Sequence, residues 1–88
     1  MAQRMKFTED VVTHLKKVPE VQKICRGKTG WYRGKKMLKV SNGTPNLVTV
    51  LACEPDGQSA IHVYSKNCAA VIAAAHAFGK QHNVPVRG

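Results

Sequence analysis

Gly27-Lys28-Thr29 has the letters of a phosphate-binding loop. Such a loop needs a glycine five positions ahead of its Gly-Lys pair, so that backbone amides wrap two phosphates, and position 22 is Gln. The overlapping Gly30-Trp31-Tyr32-Arg33-Gly34-Lys35 is one residue short between its glycines and lacks the following Ser or Thr. No nucleotide-binding loop is assigned. Trp31 and Tyr32, however, stand among Lys28, Arg33, Lys35 and Lys36. Exposed rings in that setting stack on bases, at roughly 1–3 kcal/mol each. Packed instead, Trp31 covers the edge of the core, and the cations keep their meaning either way.

The other chemistry-bearing residues do not converge. Cys53-x8-His62-x5-Cys68-x7-His76 matches no zinc spacing, and Cys25, Cys53 and Cys68 form no Cys-x-x-Cys pair. Of the acids, Glu9, Asp10 and Glu20 suit helix starts, while Glu54 and Asp56 flank a turn. Paired-carboxylate chemistry needs two acids in one cleft, and nothing favours a Cys–His dyad. The chain reads as non-enzymatic, without metal, cofactor or small-molecule substrate.

Charge says more. Residues 1–40 hold 11 Lys/Arg against 3 Asp/Glu, whereas residues 41–88 hold 3 against 2. Nine cations fall between Lys16 and Lys39 (Lys16, Lys17, Lys23, Arg26, Lys28, Arg33, Lys35, Lys36 and Lys39), opposed only by Glu20. A net charge of +9 on 88 residues costs stability by self-repulsion and attracts polyanions. Nucleic acid is the commonest such partner. The expectation is that these cations gather on one face.

Eighty-eight residues, 43% apolar and 22% charged, suit a single domain with one modest core, ordered over about 8–80. An odd cysteine count fits a reducing compartment, and the N-terminus lacks a signal peptide's apolar segment. The longest apolar run, Cys68 to Gly79, is too short to span a bilayer. A soluble cytoplasmic protein, virion-associated in the viral alternative below, is expected.

The elements that would position these residues follow from periodicity. Residues 8–18 predict a helix capped by Thr8, with Val11, Leu15 and Val18 on one face. Pro19 interrupts it, and Pro19-Glu20-Val21 predicts a second short helix turning Val21, Ile24 and Cys25 inward, stopped by Gly27. Strands are predicted near Met37–Val40, Leu47–Cys53 and Ala60–Tyr64, joined by turns at Ser41-Asn42-Gly43 and Pro55-Asp56-Gly57. Ser65 is the expected cap of an alanine-rich helix that reaches Phe78 and ends at Gly79. Its inward stripe would be Cys68, Val71, Ala75 and Phe78, with Ile72 beside it. Residues 83–88 are expected to fray. The fold class is α+β: an N-terminal helix broken near Pro19, a three-stranded antiparallel sheet, and a C-terminal helix packed on one sheet face.

That order resembles the double-stranded-RNA-binding domain family. In the family a proline precedes the second strand, and about twenty residues later a Ser-Lys motif opens the last helix, followed by alanines. Here Pro45 is followed by Ser65-Lys66, then Ala69, Ala73, Ala74, Ala77 and Phe78. The resemblance covers roughly residues 8–80 and implies an αβββα fold with Lys66 as a phosphate contact. Members carry further lysines in the first turn of that helix, where Asn67, Cys68 and Ala70 stand here, and a His where Gly43-Thr44-Pro45 stands. A second, shorter similarity, carried by Pro19-Glu20-Val21, is to connector and tail-completion proteins of tailed bacteriophages.

These observations predict a nucleic-acid-binding protein of low sequence specificity, contacting RNA or DNA phosphates through the Lys16–Lys39 surface and Lys66, with Trp31 or Tyr32 stacking on an unpaired base. Six engaged cations would give a log–log salt slope of about −5 on duplex. The alternative is a structural subunit of a viral or other assembly, forming a homo-oligomer or docking its basic face on an acidic protein neighbour. A basic inhibitor of a nucleic-acid enzyme is a third.

Overall fold

The computed structural model describes residues 3–28, 34–55 and 57–88, with side chains for residues 6–26, 34–55 and 57–88. Trp31, Tyr32 and Arg33, and the side chain of Lys28, lie outside the described residues.

Alternation, broken only where Met37 and Cys53 are also buried among the described residues of the central strands, builds the sheet. Strand β3 (Leu47–Glu54) turns Val48, Val50 and Ala52 to the core and leaves Leu47, Thr49 and Leu51 half-buried on the other side. Strand β4 (Gly57–Tyr64) follows the same rule with Ser59, Ile61 and Val63 inward. The two pair antiparallel, Val50 opposite Ile61 and Val48 opposite Val63, so branched side chains meet across the ladder. Glu54 pairs with Gly57, which puts Gly57 in the strand rather than in the turn. Strand β2 (Met37–Asn42) pairs antiparallel with β3 and adds Leu38 and Val40 to the core. Its turn runs through residues 43–46, closed by Gly43 N–H donating to the Leu47 carbonyl and by Asn46 at positive φ. The three predicted strands are all present.

The two edges differ from expectation. The segment from Pro19 to Gly27, predicted as a short helix, instead leads into strand β1 (Gln22–Lys28), antiparallel to β4 throughout its length. Val21 packs against the core, but Ile24 is 52% exposed instead of inward. The tail, expected to fray, supplies β5 (Val86–Arg87), parallel to β2. The sheet is thus mixed and five-stranded, in the order β1-β4-β3-β2-β5, and not three antiparallel strands.

Both helices cover one face. Helix α1 (Gln3–Leu15) begins five residues earlier than predicted, so Thr8 is buried within it and caps nothing. Phe7, Val11 and Leu15 face β3 and β4. The helix ends at Leu15, before Pro19, and a turn carries Val18 back into the core. Helix α2 (Cys68–His82) lies over β2 and β3, burying Val71, Ala75 and Phe78 as its spacing predicts. Asn67, not Ser65, is its cap: Asn67 Oδ1 accepts the Ala70 N–H, while Ser65 Oγ accepts the Asn67 N–H. The helix passes through Gly79 and stops at Asn83, which adopts the left-handed conformation. A Cβ on Gly79 would collide with the Val86 side chain and the Val84 carbonyl, so glycine is what lets the chain fold back into β5. The core is therefore one layer of helix on one layer of sheet.

Candidate nucleic-acid interface

With both helices on one side, the sheet's other face is defined by register. Its cross-strand rows are Gln22·Tyr64·Leu47, then Ile24·His62·Thr49·Ser41, then Arg26·Ala60·Leu51·Lys39·Arg87, then Lys28·Gln58·Cys53·Met37. None of these positions is Asp or Glu. Arg26, Lys39 and Arg87 are exposed and share one row, flanking half-buried Ala60 and Leu51. Three strand spacings, about 14 Å, separate Arg26 from Lys39.

The adjacent rows supply a second kind of contact. Tyr64 is 42% exposed and Ile24 more so, the two large apolar side chains that stand out to solvent among the described residues. Between them His62 Nδ1 and Thr49 Oγ1 share a 3.0 Å hydrogen bond that fixes the ring on the sheet. Beyond Tyr64, a hollow of about 290 Å³ is lined by Glu20, Gln22, Asn46, Tyr64, Ser65 and Lys66. This brings Lys66 beside the ring. At the opposite end Met37 and Cys53 are buried, and burial pushes the Cys53 thiol pKa up against a weaker opposing pull from Lys39.

Among the described residues, Lys16, Lys17, Lys23 and Lys36 do not join this face. Lys16 and Lys23 lie together in a groove between α1 and β1, on the helix side of the sheet. Desolvation and then the Lys16 ammonium hold the Lys23 pKa below its usual value. Lys17 lines a hollow with His14 and His82 between the helices. Lys36 is exposed but directs Nζ to 5.1 Å from the Phe7 ring of α1, a cation–π contact. Lys35 is exposed ahead of β2. The described cations of residues 16–39 are therefore divided between two sides of the molecule, contrary to the expected single face.

Two residues of the face were missed from the sequence. Tyr64 closes a predicted strand whose alternation already places it opposite Ile61 and Val63. Arg87 belongs to a short stretch, Val84-Pro85-Val86-Arg87, within the segment expected to fray. Among the described residues no three His, Cys, Asp or Glu side chains group as metal ligands, and no helix is long and apolar enough to cross a membrane. None of the family models, curated proteins or solved structures compared with this chain matches it.

Proposed function

We propose that the chain binds nucleic acid on the helix-free face of its sheet, with low sequence specificity and a preference for unpaired strands. The observation that carries this reading is a row of exposed cations whose strand positions hold no carboxylate, beside an exposed tyrosine whose hollow is bordered by Glu20 and Lys66. Arg26, Lys39 and Arg87 would contact phosphates, which position a strand without reading it. Tyr64 offers a flat ring for one base, and Lys66 a phosphate contact next to it. A sheet presenting a ring suits splayed bases better than a closed duplex. The resemblance to double-stranded-RNA-binding domains supports the partner class more than the usual contact surface. The first turn of α2 is Cys68-Ala69-Ala70-Val71 and carries no cation for a major groove.

Mobility-shift titrations against single-stranded RNA, single-stranded DNA and both duplexes test the proposal. Four engaged cations predict a log–log salt slope of about −3 on single strands. Arg26→Glu/Lys39→Glu should weaken binding tenfold or more, and more than Lys35→Glu/Lys36→Glu. Absence of affinity for any strand at low salt, or equal effects of the two pairs, would overturn it.

A further inference from the structure

Strand β1 is an edge whose seven residues all pair with β4 on one side, and among the described residues nothing pairs with its outer side. Unpaired edges are templates for another strand, and proteins guard them with charge. Here the guard is of one sign. Lys23 and Cys25 point to the helix side, into a groove of about 440 Å³ shared with Glu9, Val12 and Lys16 of the α1 segment. Ile24 and Arg26 point to the open face.

We infer that β1 accepts an acidic, extended peptide segment of a partner protein as a sixth strand. The alternation defines its chemistry. The residue opposite Lys23 enters the groove beside the adjacent Lys16 and Lys23 ammonium groups and should be Asp or Glu. The one opposite Ile24 lies on the open face and should be apolar. The residue opposite Cys25 meets Val12 and, beside it, the Glu9 carboxylate, so it should be apolar and uncharged. Opposite Arg26 a second acid fits. The motif is acid–apolar–apolar–acid, with main-chain hydrogen bonds supplying affinity and alternate side chains specificity. A second copy of this chain is a poor occupant, since self-pairing neutralises neither Lys23 nor Arg26 and two bodies of +9 repel. The Lys23 and Cys25 positions, on the helix side, carry the inference independently of what the open face binds, whereas Arg26 is shared with that face.

The test is an NMR titration of the full chain with acetyl-Thr-Glu-Val-Val-Glu-Thr-amide and its Lys-Val-Val-Lys counterpart. Amides of residues 22–26 should shift, the acidic peptide should bind at least tenfold more tightly, and Lys23→Glu should weaken it fivefold or more. Methylating one alternate set of the peptide's amides should abolish binding while the other set is tolerated. Equal binding of the two peptides, indifference to backbone methylation, or dimerisation of the free chain through β1 would overturn the inference.

Discussion

His14 shows how one side chain ties the helices' packing to pH. Its ring meets Phe78 edge-on at 5.6 Å, while His82 stacks on the same phenylalanine at 4.3 Å. Asp10, Lys17, Gln81 and His82 share the hollow around it. Desolvation first, then Lys17 and His82, lower its pKa below the usual 6.5. A base with a depressed folded pKa leaves the unfolded chain holding more protons, so stability falls as pH drops below about 6.5 and levels off under the folded value. The thermal midpoint should decline between about pH 7.5 and 5.5, and His14→Gln should decline less. Identical declines in the two proteins would rule out His14 as the source. The coupling was not legible from sequence, because it depends on His14 and His82, from opposite ends of the chain, meeting one ring.

At the scale of elements, the predictable parts were those with a clean period. The three central strands alternate, and α2 repeats Val71, Ala75 and Phe78, so pattern and burial agree. Strand β1 failed for a physical reason. Val21, Ile24 and Cys25 fall at helical spacing behind a proline suited to a first turn, yet pairing with β4 overrides that local preference. An edge strand with one half-covered face leaves no tidy apolar alternation to detect. The cations were legible, but their division between two sides follows from strand alternation that the helix reading concealed. Helix α2 and β5 are coupled by Gly79, where the returning chain touches the helix backbone. Gly79→Ala gains about 1 kcal/mol of helix propensity but forces overpacking that typically costs about 1–3 kcal/mol. A net loss is expected, at roughly 4–8 °C in Tm per kcal/mol. The Leu38 amide, which donates to Pro85 at 2.9 Å, should lose hydrogen-exchange protection first. Unchanged protection there would mean the turn into β5 adjusts without releasing the strand.

For the whole molecule, +9 on 88 residues means that folding concentrates like charge. Screening shortens to about 8 Å at physiological salt, so added NaCl should raise the thermal midpoint, from about 20 mM to about 300 mM, by a few degrees. Arg26→Glu/Lys39→Glu should flatten that dependence; a midpoint insensitive to salt would show that the cations are already compensated within the fold.

The sheet's two flanks are unequal: seven paired residues on one side, two on the other. Polymerising edge to edge needs a donor and an acceptor of matching length on each subunit, and β5 is too brief to serve as either. Growth by strand addition would therefore stop after a single step, giving a discrete complex where a symmetric sheet of this size would risk a fibre.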